Sequence, residues 1–267
     1  MRRLRLGMMA GGISLDPNAQ AFLNAAGITD ATITTAIDTL VIQLKAIGVW
    51  TKLKAIYPFV GGTATTHKFN LKNPADTNAA FRLSFSGGWT HSANGIQGNG
   101  ANTFANTFYV PNTECDSQNN SIAFYIRNNV SEPKYDMVAT NDAGGGVNPF
   151  GLISLYSVNT FSYFLNGVLN ITATIGDSRG FWQGFTDATN NRFYRNSGQI
   201  ATTALGINAI STSSLYIGAN NGGGTLGFVA SKQFAFASMG GTKLTTTEAA
   251  NYYSAVQAFQ TTLSRQV

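Results

Sequence analysis

Phe181-Trp182-Gln183-Gly184-Phe185, followed by Asp187-Ala188-Thr189-Asn190-Asn191 and then Arg192-Phe193-Tyr194-Arg195-Asn196-Ser197-Gly198-Gln199, is the run that decides the fold. It reads as an aromatic strand, a polar turn and a second strand. Residues 214–218 (Ser-Leu-Tyr-Ile-Gly) and 228–238 supply two further strands, with the Gly222-Gly223-Gly224 loop between them. Thr245 with Glu248 three residues later is a capping box that opens a helix. The apolar face of that helix is Ala249, Tyr252, Tyr253, Val256, Phe259 and Leu263.

Upstream, residues 63–175 carry the same texture. Apolar and polar side chains alternate over 65–71, 81–85 and 121–127, where Ile122, Phe124 and Ile126 point one way. Segments 135–139, 152–156 and 161–165 follow, and Asn166-Gly167 is a strong hairpin signal. Short strands divided by Gly-rich polar turns indicate a sandwich rather than alternating strands and helices. The N-terminal part differs. Asp16-Pro17 is a helix start and Gly27 a stop. Ile33, Ile37, Leu40, Val41, Leu44 and Ile47 lie on one helical face, closed by Gly48. The expected organisation is an extended arm over 1–15, a helical attachment region over 16–60, and a β-sandwich with a C-terminal helix over 61–267.

Composition narrows the function. The 267 residues are 43% hydrophobic and 12% aromatic but only 11% charged, against a usual charged content near ~25%. Asn, Thr, Ser and 29 glycines fill the surface instead, as in secreted or virion-type β proteins. The net charge of +5 is scattered apart from Arg2, Arg3 and Arg5, so the dense basic face of a nucleic-acid binder is missing and nucleic acid is not an expected partner. A single cysteine, Cys115, excludes an intrachain disulfide and a thiolate metal cluster. No run of about 20 apolar residues is present, so no membrane helix is expected.

The order of elements resembles the laminin G-like or concanavalin A-like jelly roll, in which a tryptophan strand leads to an aromatic-x-Asn-Gly hairpin and then a Leu-x-Ile-Gly strand. The resemblance implies a mainly β, antiparallel jelly-roll sandwich, flanked here by an N-terminal helical hairpin and a C-terminal helix. Lys54-Ala55-Ile56-Tyr57-Pro58, the run from Gly61 to Asn70, and the tail Tyr253 to Leu263 also resemble virion proteins of tailed bacteriophages that carry such a domain. That resemblance implies a capsid decoration, tail fibre or baseplate adhesin located on the virion. Its partners would be other virion proteins and a host-surface glycan, and it would be a homo-oligomer such as a trimer. No catalytic residue is implied.

The residues themselves offer few chemical sites. Trp89, His91, Tyr109, Trp182, Tyr194 and Tyr216 are the candidates for stacking on a sugar, each with the ordinary alternative of a place in the core. Trp89 and His91 stand out because Gly87-Gly88 and the loop 93–102 surround them. Asp136, Asn141 and Asp142, near Gly144-Gly145-Gly146, are the best oxygen donors for a calcium ion, in a pattern that is more often a plain turn. No other cofactor is indicated. A polysaccharide depolymerase is the rival reading. It needs two carboxyl groups across the bond, and the only glutamates are Glu114, Glu132 and Glu248. Asp136 and Asp187 would then have to converge through the fold.

Overall fold

The computed structural model describes residues 14–157, 160–164, 171–206 and 208–267. The arm expected over 1–15 falls almost wholly outside these residues, as does the Asn166-Gly167 hairpin.

Helix α1 (Pro17–Ala26) starts on Asp16, whose carboxylate accepts from Asn18 N–H, and ends on Gly27 in the left-handed conformation. Helix α2 (Ala31–Ala46) is capped by Asp30. Lys45 reaches back to Asp16 at 2.7 Å and ties the two helices together. Helices α3 (Ala64–His67) and α4 (Pro111–Glu114) are single turns. Helix α5 (Thr246–Thr262) begins with the expected capping box of Thr245 and Glu248.

The strands form two sheets. The first has the order β13 (Gly198–Ala204), β12 (Asn190–Arg195), β11 (Gly180–Thr186), β6 (Ser121–Ile126), β17 (Gln233–Gly240), β4 (Gly95–Gln97) and β3 (Thr90–Ser92). Strand β1 (Leu53–Tyr57) also pairs with β17. The second sheet runs β10 (Ile171–Thr174), β9 (Thr160–Phe164), β8 (Phe150–Ser157), β7 (Met137–Thr140), β14 (Tyr216–Ile217), β5 (Phe104–Asn106) and β2 (Ser84–Ser86). The hairpin of β15 (Asn220–Gly222) and β16 (Thr225–Gly227) joins it beside β7. Its turn needs positive φ at Gly223 and Gly224, which glycine adopts at little cost.

The molecule is therefore layered as helices, first sheet, second sheet. The central strands of the first sheet, β6 and β11, are buried on both faces and alternate between two cores. In β6, Ala123 and Tyr125 meet the helices, while Ile122, Phe124 and Ile126 face the second sheet. Every residue of β6 is buried, and all but Ser121 are hydrophobic, as a strand covered on both faces requires. The helical core gathers Phe22, Leu40, Leu44, Phe181, Phe236, Tyr252 and Phe259. The helical hairpin thus packs on the sandwich itself, and β1 carries the segment 53–57 into the sheet. The division expected at residue 60 does not separate two cores.

The C-terminus is fastened by Arg265. Its guanidinium is buried and its five N–H groups go to the carbonyls of Pro58, Phe59, Ala93 and Ala235 and to Gln260 Oε1. Burial lowers its pKa to about 9.

Candidate functional site

Tyr109 and Trp182 are corrections to the list of sugar-stacking rings. Both are 0% exposed and sit between the sheets. The Tyr109 hydroxyl donates to Gly240 O at 3.3 Å and Trp182 Nε1 to Ser178 O at 2.7 Å, so their polar atoms are satisfied inside. Tyr194 is half-buried on the helical side of the first sheet, stacked on Phe185, with its hydroxyl donating to Gln199.

Trp89, His91 and Tyr216 are instead drawn into one patch. Strand β2 and the Gly87-Gly88 turn deliver Trp89, β3 delivers His91, and β14 delivers Tyr216. Phe85 and Phe104 complete the patch. Phe104 and Tyr216 stack with centroids 4.5 Å apart and planes 18° from parallel. Phe85 meets Trp89 edge-on at 6.1 Å and His91 at 4.7 Å. Trp89 Nε1 donates to Phe104 O at 3.1 Å, which fixes the indole plane. The indole lies against Gly218, where an added Cβ would come within 2.6 Å of its ring edge. Phe85, Trp89, Phe104 and Tyr216 are all half-buried. Burial raises the Tyr216 pKa, so at neutral pH the hydroxyl remains a donor.

Amide side chains border these rings. Asn99 Nδ2 donates to Asn102 Oδ1 at 2.7 Å, while Asn99 Oδ1 accepts from the backbone N–H groups of Ala101 and Asn102. Gly87 packs so closely on Asn102 that a Cβ would sit 2.3 Å from its carbonyl oxygen. The loop 99–102 is held beside the rings by these contacts, with its outer edge exposed.

Beneath the patch lies the contact of the two histidines. His67 Nδ1 and His91 Nδ1 are 3.0 Å apart. His67 Nε2 accepts from Gly62 N–H at 3.2 Å, which assigns the His67 proton to Nδ1 and makes His91 Nδ1 the acceptor. Burial first, then His91 and Arg265, lower the His67 pKa to about 3. Burial also lowers that of His91. The pair is neutral in the folded protein at neutral pH.

The oxygen donors suggested for calcium are not brought together. Asp136 is buried in an ion pair with Lys232. Asn141 Oδ1 accepts from Ser211 and Thr212, and Asp142 Oδ1 accepts from the N–H groups of Gly146 and Val147. The Asp142 bonds shape a local turn, whereas Asn141 is held by residues 70 and 71 positions away, so the three side chains serve separate purposes. Among the described residues no group of three His, Cys, Asp or Glu side chains could hold a metal. The carboxylates of the hydrolase reading do not converge either. Asp187 bonds Arg192 in the β11–β12 turn and lines a cavity of about 390 Å³ with Lys52, Lys243 and Thr245, whereas Asp136 is closed off beside Lys232.

Neither Phe85 nor Phe104 was distinguishable from core in the sequence, because their partners come from other strands. The alternation over 81–85 was the only signal for Phe85.

No family model matches the chain, and no curated protein matches it. Solved structures do. A botulinum neurotoxin type C structure, described as showing cell entry dependent on two ganglioside molecules, is 12% identical over 79% of this chain and 53% of its own, with a TM-score of 0.52. This chain is a jelly-roll sandwich. Weaker likenesses include the NanB sialidase of Streptococcus pneumoniae, 13% identical over 55% of this chain with a TM-score of 0.41. The CBM40 of the Ruminococcus gnavus IT-sialidase is 13% identical over 50% of this chain and 81% of its own, with a TM-score of 0.39. The chain spans about a quarter of the sialidase and about half of the toxin structure. At these identities the likeness is one of fold, and fold does not carry function with it.

Proposed function

We propose that this chain is a glycan-recognition and structural module of a bacteriophage particle, with the rings of Trp89, Phe104 and Tyr216 as its sugar platform. The observation that carries the binding half is the half-exposed Phe104–Tyr216 stack beside an indole held in place by its own hydrogen bond. Flat aromatic faces suit the C–H faces of a sugar ring, and the bordering Asn99 and Asn102 amides both donate and accept to hydroxyls. The ganglioside dependence stated for the neurotoxin of similar fold supports this reading. The virion half rests on the residues from Gly61 to Asn70 and from Tyr253 to Leu263, and on a surface rich in Asn, Thr and Gly. The partners are then other virion proteins and further copies of the same chain, in a homo-oligomer such as a trimer. The chain's place is the capsid surface or the tail.

Two experiments test it. Screening the chain against immobilised glycans, with Tyr216→Ala beside it, is expected to show binding that the variant loses. Mass spectrometry of purified particles is expected to find the chain there. Absence from particles would end the virion half and leave the platform standing.

A further inference from the structure

Asp136, Ser154 and Lys232 form a polar cluster sealed inside the sandwich, each 0% exposed. The Lys232 ammonium stands 3.1 Å from Asp136 Oδ1 and 3.1 Å from Oδ2. It also donates to Ser154 Oγ at 2.9 Å and to Leu155 O at 3.2 Å. Asp136 Oδ2 accepts from Ser154 N–H at 2.6 Å and from Ser154 Oγ at 2.7 Å. Oδ1 touches the ammonium at ion-pair distance but without hydrogen-bond geometry, and no other partner satisfies it. The two carboxylate oxygens are therefore unequal: Oδ2 accepts from three donors, Ser154 N–H, Ser154 Oγ and Lys232 Nζ, and Oδ1 accepts no hydrogen bond.

We infer that Lys232 and Asp136 condense into an intramolecular isopeptide bond. The amine and the carboxyl group are already held at the separation of a near-attack pair. The two Ser154 donors aim at the oxygen that takes the negative charge in the tetrahedral intermediate, the arrangement of an oxyanion hole. The step balances without a co-reactant. One ammonium proton passes to Oδ1, leaving an amine and a carboxylic acid. Nζ then attacks Cγ. A second nitrogen proton goes to the Oδ1 hydroxyl, the Cγ–Oδ1 bond breaks, and water leaves. Oδ2 remains as the amide carbonyl, still bonded to Ser154. The product replaces two buried charges, which are costly in an apolar interior, with one neutral amide. Water is excluded from the site, which opposes the reverse hydrolysis.

The bond would join the segment leading into β7, in the second sheet, to the segment leading into β17, in the first. These positions are 96 residues apart. It would thus staple the two sheets of a chain whose single cysteine cannot do so by a disulfide.

The test is the intact mass of the full chain after denaturation, followed by protease digestion. A mass one water below the sequence mass is expected, together with a branched peptide that contains both Asp136 and Lys232. Lys232→Arg keeps the charge but cannot form the amide, and is expected at its full sequence mass. A wild-type chain at full sequence mass overturns the inference, as does a water loss that maps to any other position. The wild-type result decides the matter even if the variant does not fold.

Discussion

The two sheets are equally rich in aromatic side chains and use them in opposite ways. On the first sheet, Phe181, Phe236 and Tyr125 point at α1, α2 and α5, and every one of them is buried. On the second sheet, around β2, β5 and β14, Phe85, Phe104 and Tyr216 remain half-buried, and none of them belongs to the helical core. The difference shows what an aromatic residue means in this fold. Under helices these three rings are packing, and beside the Gly87-Gly88 turn and the loop 99–102 the rings keep part of their surface exposed. Half-exposed rings gathered in one cluster, as Phe85, Trp89, Phe104 and Tyr216 are, make the kind of apolar patch that the proposed platform needs.

This contrast can be broken most forcefully at the helical core. Phe236→Ala removes a ring that meets Phe181, Tyr252 and Phe259. It is expected to cost about 3–5 kcal/mol in denaturant unfolding, as large-to-small core changes do. A cost below about 1 kcal/mol would mean that the helices do not seal the first sheet.

The histidine pair tests the region between core and patch through pH. The folded pKa of His67 is about 3, below the unfolded value near 6.5, so the unfolded chain binds the proton more readily. The pair's contribution is full above about pH 6.5 and is lost as the pH falls from there toward 3. The slope is at most about 1.4 kcal/mol per pH unit for each histidine. His67→Gln is expected to flatten the curve of stability against pH between 6.5 and 4, measured by denaturation at each pH. An unchanged curve would mean that the histidines are not held neutral.

A smaller loss is expected from Gly218→Ala. The residue has φ near +81°, and the new methyl would meet the Trp89 ring. About 1–3 kcal/mol of destabilisation should follow, with a change in tryptophan fluorescence as the indole moves. The smallest stability effect is expected for Tyr216→Ala, below about 1.5 kcal/mol, because only part of the ring is buried. Its expected effect is on binding.

Much of the architecture was legible in the sequence for local reasons. Asp16-Pro17, Gly27 and the Thr245–Glu248 capping box mark helix ends through backbone chemistry that needs no distant partner. The strand–turn–strand run from Phe181 to Gln199 was equally local, although the structure puts the second turn at Asn196-Ser197 and continues into β13. Legibility stopped where a residue's role depends on a strand far away. Tyr109 and Trp182 read as well as Tyr216 for sugar stacking, because alternation does not tell an inner face from an outer one when a sheet is covered on both sides. Asp136 read as a metal-ligand candidate, and its partner Lys232 lies 96 residues away, just before β17. The His67–His91 contact and the Phe104–Tyr216 stack are likewise products of topology alone.

The most direct test of the platform is a binding titration of the best glycan from the screen against three chains: wild type, Tyr216→Ala and Tyr194→Ala. Tyr194 is the matched control, a half-buried tyrosine on the helical side of the first sheet. At least a tenfold loss of affinity, about 1.4 kcal/mol, is expected for Tyr216→Ala, with Tyr194→Ala unchanged. Equal affinity for wild type and Tyr216→Ala, or a loss confined to Tyr194→Ala, would contradict the account.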